Sequence, residues 1–143
     1  MDKSPQYLRM CERAAEIQQR WRQTYGDFYA DADGTISCWI QTGSHPPLRM
    51  KGGFHIKSSD SIIRMARMIW LPRQDQLIEM AQVRGRTYDS VVLEFYNWTK
   101  RPYNHRNQPP SRLFSTMESI WMAFVMQRKF RKKWDDTTWV ETL

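Results

Sequence analysis

The sequence predicts an α+β fold. A small antiparallel sheet, formed by a hairpin at 28–40 and further strands to about residue 71, is packed by an N-terminal helix and about three C-terminal helices. Three observations predict it. Apolar residues recur at helical spacing near the N-terminus and again beyond residue 74, they alternate with period two in between, and capping or turn residues stand where the period changes. With 143 residues, 41% of them hydrophobic and seven of them Trp, the chain has enough apolar surface for one packed domain, 1–143.

Ser4-Pro5 opens the first helix, with a side-chain cap followed by a proline that has no N–H to leave unpaired. Tyr7, Cys11, Ala14, Ile17 and Trp21 then share one face, and Gly26 closes the segment. The next stretch, DADGTIS, resembles part of an EF-hand loop. With Gly34 as the turn glycine, however, the first and last ligand positions fall on Tyr29 and Ile40, which offer no carboxylate. Ile36, Cys38 and Ile40 alternate with Thr35, Ser37 and Trp39, so Asp33-Gly34 reads as a hairpin turn of type I′.

Gln41 to Gly53 is rich in Gly and Pro and reads as a loop, and Phe54 to Ser58 alternates as a third strand. SIIRMARMIWL fits a buried strand or a helix by pattern alone. Pro72 disfavours helical geometry in Leu71 and tips the reading towards extended structure ending there. Pro72 is then expected at N1 of a second helix burying Leu77, Ile78, Met80 and Ala81, with Gly85 as its stop. Thr87 caps a third helix with Val91, Val92, Phe95 and Trp98 on one side. Ser115 and Glu118 form a capping box for a fourth, whose face is Met117, Ile120, Trp121, Phe124 and Val125 and whose last turn carries RKFRKK. The tail folds as a small turn with Trp134 and Trp139 against the core.

No apolar run approaches the ~18 residues of a membrane span, and MDKSPQYLRMCER is no signal peptide. Cys11 and Cys38 stand alone and read as reduced thiols, so a cytoplasmic location is expected. His45, His55 and His105 lie far apart, without the spacing of a zinc site. No nucleophile elbow or P-loop is present, and Asp75 with Glu79 reads as a solvated i, i+4 pair. The expectation is therefore a protein without metal or cofactor and, on balance, without turnover, an enzyme whose site is assembled from distant residues being the alternative.

The net charge of +7 favours anionic partners. The cations cluster. Lys100, Arg101, Arg106 and Arg112 share a loop with Tyr103 and His105 and no acid, and Arg128, Lys129, Arg131, Lys132 and Lys133 follow the fourth helix. Arg49, Lys51 and Lys57 flank the Gly/Pro loop. Arginine holds phosphate through paired N–H groups, and an interleaved aromatic stacks a base. The expected ligand-binding residues are Arg101, Tyr103, His105, Arg106, Arg112, Lys132 and Lys133. A solvated helix end and a flexible loop are the competing reading of the same residues.

WLPRQDQLIEM (Trp70 to Met80) and STMESIWMAFVMQRKFRKKWDDTTWVE (Ser115 to Glu141) resemble a family of small proteins encoded in tailed phages and prophages of Firmicutes. The resemblance carries no activity and gives no residue a role. It implies an accessory protein of infection, acting in the host cytoplasm. One such function is a nucleotide-binding anti-defence sponge, commonly a homo-oligomer, that sequesters host immune signals. Others are a nucleic-acid-binding factor of replication or transcription, or an inhibitor of a host protein anchored through exposed Trp and Met.

Overall fold

The computed structural model describes residues 1–40, 48–49 and 68–142. Helices α1 (Pro5–Glu12) and α2 (Ala15–Gln18) lead into strands β1 (Phe28–Ala30), β2 (Ile36–Ile40), β3 (Leu48–Arg49) and β4 (Ile69–Leu71). Helices α3 (Gln74–Ala81), α4 (Tyr88–Trp98), α5 (Pro110–Leu113) and α6 (Met117–Phe130) follow, and a hairpin of β5 (Lys132–Trp134) and β6 (Trp139–Glu141) ends the fold. The class is α+β, as expected. The first sheet is antiparallel in the order β3-β2-β1-β4, and β1 is its centre, pairing Phe28 with both Cys38 and Leu71. The third strand expected at 54–58 lies outside the described residues, as do Lys51 and Lys57. Among the described residues, no helix is long and apolar enough to cross a membrane.

The first helix departs from a continuous span. It is capped by Ser4, which accepts the Tyr7 N–H at 3.1 Å, but it breaks at Ala14 (φ −90°, ψ 69°) and resumes for a single turn. Gln18 explains the break. Its amide nitrogen donates to the carbonyls of Cys11 and Trp70, and its oxygen accepts the Trp70 N–H at 2.8 Å. One side chain thereby closes the end of α1 and the edge of β4. Extended β4 supports the reading of 69–71 as strand, and Tyr7 bonds the Pro72 carbonyl beside it at 2.6 Å.

The hairpin turn is longer than a type I′ turn. The Gly34 N–H reaches Asp31 O and the Asp31 N–H reaches Thr35 O, and Gly34 alone in the turn has positive φ, at 81°. Asp33 instead accepts the Thr35 N–H through its side chain, which relieves it of the left-handed backbone that type I′ demands. Helix α3 begins after Arg73, so Pro72 precedes the cap rather than forming N1, and it ends at Ala81, before Gly85. The box at the head of α6 is Thr116 with Ser119, not Ser115 with Glu118. Thr116 Oγ1 accepts from the Ser119 backbone and Ser119 Oγ from the Thr116 backbone, each at 3.2 Å. Glu118 takes the Met1 ammonium at 3.4 Å instead.

Helix α6 is buried on all sides from Ser119 to Met126, a broader burial than its predicted stripe. It is the pillar of the core, packed most extensively against α3 and also touching α1, α4, α5 and β5. Arg131 (φ 56°) ends it, so Lys132 and Lys133 belong to β5 and not to the last helical turn. Trp134 and Trp139 pack against each other at 5.1 Å, and the Trp139 indole donates to Met10 O, 129 residues away.

Candidate functional site

The basic segment after α4 is an ordered Ω-shaped loop. Its neck is closed by the Ser111 N–H on Thr99 O (3.4 Å) and its tip by the Tyr103 N–H on Gln108 O (2.9 Å). Asn104 Oδ1 accepts the N–H groups of Arg106 and Gln108, and Asn107 takes the left-handed conformation (φ 58°) that Asn tolerates. Arg101, His105, Arg106 and Arg112 are exposed on this frame, and among the described residues none of their side chains has a protein partner.

Tyr103 has a different position from the one expected. It is buried, edge-on to Trp98 (5.7 Å) and Phe114 (5.5 Å), and its hydroxyl accepts the Trp134 N–H at 2.7 Å. Burial pushes its hydroxyl pKa up, with that N–H acting weakly against it. No face is left for a base, so Tyr103 anchors the loop to β5 and is not a stacking platform.

The two C-terminal lysines are also engaged. Lys132 pairs with Glu16 at 2.5 Å, and Lys133 donates to Tyr103 O at 3.1 Å. Lys133 thus joins the two basic clusters that lie far apart in sequence. Between loop and hairpin lies a cavity of about 160 Å³ lined by Tyr103, His105, Leu113, Phe114, Trp134 and the Asp135-Asp136 turn. Its acidic rim opposes an anion, and Asp135 is kept ionised by N–H bonds from Thr138 and Thr137.

A second cationic centre, absent from the expected set, is built on Arg128 in the last turn of α6. Its Nη2 lies 3.1 Å from Glu94 Oε2, which also takes Arg86 at 2.6 Å, and its guanidinium stands 5.5 Å over the Phe124 ring. Two guanidinium groups share one carboxylate, leaving a net positive charge. Nearby Lys129 has its pKa lowered by burial and by the charges of Arg20 and Arg128, which reports the same crowding of cations. The sequence shows Arg128 only as a helix-end cation, because Glu94, the carboxylate it shares with Arg86, lies on another helix.

No protein-family model, curated protein or solved structure matches this chain. The segments Trp70 to Met80 and Ser115 to Glu141 occupy the scaffold. Trp70 stacks on Trp21 (6.2 Å, 3° between planes), Gln76 donates to buried Asp27 at 2.6 Å, and Arg73 donates to Gly26 O at 2.8 Å.

Proposed function

We propose that the chain is a non-catalytic binding protein for nucleotide units, free or within single-stranded nucleic acid, with the phosphates held by Arg101, Arg106 and Arg112. The observation that carries this is the pinned loop. Lys100 is held by the Tyr96 hydroxyl and ring, but Arg101, Arg106 and Arg112 have no protein partner among the described residues while the backbone is hydrogen-bonded from neck to tip, so little ordering entropy opposes capture of an anion. His105 lies on the same loop and offers a further N–H. The resemblance to phage proteins supports an accessory role in infection, either as a sponge for host nucleotide signals or as a factor acting on nucleic acid.

Calorimetry with mononucleotides and cyclic dinucleotides, and anisotropy of a labelled single strand, distinguish the two sources. A strand gripped by the loop loses affinity with salt, with a slope of roughly −0.7 per phosphate contact. Replacing Arg101, Arg106 and Arg112 together by Ala removes about two units of that slope. Native mass spectrometry of protein purified from bacteria reports any co-purified nucleotide and the oligomeric state together. Absence of binding to every one of these ligands at low salt discards the proposal.

A second reading, inhibition of a host protein, is supported by the outer face of α4, where Tyr88, Val92, Leu93 and Tyr96 are exposed. The anchors then differ from those expected, since six of the seven tryptophans (Trp21, Trp39, Trp70, Trp121, Trp134 and Trp139) are buried. Leu93→Lys, on the exposed surface, would abolish such an interaction without lowering the melting temperature.

A further inference from the structure

Between α4 and α6 lies a cavity of about 240 Å³ lined by Glu94, Trp98, Phe124, Gln127 and Arg128. It is smaller than the ~300–1,000 Å³ of pockets for drug-sized ligands, and the room it leaves suits one flat group the size of a nucleobase. Two of its walls are aromatic, with Trp98 and Phe124 5.3 Å apart and steeply inclined. Its polar groups are unevenly satisfied. Arg128 Nη1 is shielded from solvent and has no protein partner. The Gln127 carbonyl oxygen accepts the Trp98 indole N–H at 2.9 Å, which leaves the amide nitrogen as a spare donor. Glu94 commits Oε2 to two arginines and retains Oε1 as an acceptor.

A ligand that completes this site must bring a carbonyl oxygen to Arg128 and Gln127, an N–H to Glu94, and a flat body to the aromatic walls. A bare phosphate fits poorly, since it gains nothing from the rings and meets the Glu94 carboxylate. A base with adjacent C=O and N–H groups on one edge supplies all three. Guanine and uracil have such an edge, and adenine, with no carbonyl, does not. The position relative to the loop is also right. Trp98 forms the cavity wall, is the last residue of α4 before the loop neck at Thr99, and touches Tyr103 within the loop.

We infer that this cavity seats one oxo-bearing nucleobase, with Arg128 and Gln127 donating to its carbonyl oxygen and Glu94 accepting its N–H. The inference rests on the reading of the loop as the phosphate holder, and makes the ligand a guanine or uracil nucleotide, free or in a single strand. Stacking and a charged hydrogen bond set the preference for the base, and the loop sets the response to salt.

Isothermal titration at low salt with GMP, UMP, AMP and ribose 5-phosphate tests it, with Trp98 fluorescence as a second readout. GMP and UMP are expected to bind about tenfold or more tightly than AMP and ribose 5-phosphate and to quench the indole. Gln127→Glu keeps the acceptor for Trp98, removes the spare donor and adds a charge, so it erases the preference for the oxo bases while leaving ribose 5-phosphate binding within twofold. Arg128→Met gives the same loss, and thermal melting of both variants checks that they fold. Equal binding of all four ligands, or indifference to Gln127→Glu, overturns the base site and leaves the phosphate-binding loop standing. Failure of all four ligands to bind overturns the base site, and the loop reading falls with it if cyclic dinucleotides and the single strand also fail to bind.

Discussion

Asp27 and Arg128 are both largely withdrawn from water, yet they differ in how completely they are answered. Asp27 is 1% exposed and accepts from the Trp21 indole, the Thr24 N–H and hydroxyl, the Gln76 amide and, at 3.4 Å, Arg73. Every lone pair has a donor, and these donors come from the α2–β1 connection and from α3. Arg128 has one carboxylate, which it shares, and one nitrogen with nothing. A saturated buried charge holds elements together, whereas one left unsaturated beside a cavity calls for a partner, the role given to the inferred ligand.

The comparison can be broken most forcefully at Asp27. Asp27→Ala strands the donors of Trp21, Thr24 and Gln76 at once and is expected to cost about 3–5 kcal/mol in urea unfolding. Asp27→Asn keeps the shape and one acceptor and should recover part of that loss. A cost near zero for Asp27→Ala would mean that saturation does not mark a structural role. Tyr103→Phe comes next. It leaves the buried Trp134 N–H without an acceptor at a cost of about 1–3 kcal/mol, yet the loop's salt-dependent binding per folded molecule should be unchanged.

Arg128→Met sharpens the contrast from the other side. Glu94 retains Arg86, and the aliphatic chain still covers Phe124, so the stability change should stay within about 1 kcal/mol while nucleobase preference disappears. The pH response is smaller. Burial raises the Glu16 carboxyl, but the Lys132 hydrogen bond, the backbone bond and the Lys132 charge outweigh it, so its folded pKa is lowered. A depressed carboxylate stabilises above its unfolded pKa and loses that contribution as pH falls through the folded value. Asp135 acts in the same direction through the N–H groups of Thr138 and Thr137. Unfolding midpoints of Glu16→Gln and Asp135→Asn should therefore fall at neutral pH and converge with the parent in acid. The smallest effect is chemical. Cys11 is fully buried with its thiol pKa raised by desolvation, whereas Cys38 is half-buried, so a thiol reagent should label Cys38 alone in the native protein.

Much of the frame was legible before any coordinates. Ser4, Thr87, the strand at 69–71, and the packing of Trp134 and Trp139 follow from caps, proline sterics and periodicity, all of them local. The errors have local alternatives at their root. Thr116 and Ser119 offer as good a box as Ser115 and Glu118, and the N-terminal residues favour the former, Asp2 accepting from the Thr116 hydroxyl and the Met1 ammonium holding Glu118. The break at Ala14 depends on Gln18 reaching Trp70, a contact across 52 residues that no window contains. The site fared worse for the same reason. The loop's arginines were recognisable by charge, but burial of Tyr103 depends on β5, and the Arg128 centre is assembled from two helices whose adjacency is a tertiary fact.

The indole of Trp139 on the Met10 carbonyl also orders events during synthesis. Helix α1 can be translated, and can turn, long before Trp139 exists to cover it, because the two are 129 residues apart in the chain. Until the β5–β6 hairpin emerges, the side of α1 that Trp139 will cover and the Tyr103 hydroxyl both lack their final neighbours. A nascent chain arrested before Trp134 should therefore be cleaved by protease near α1 and the basic loop together, and emergence of the β5–β6 hairpin should protect both in a single step.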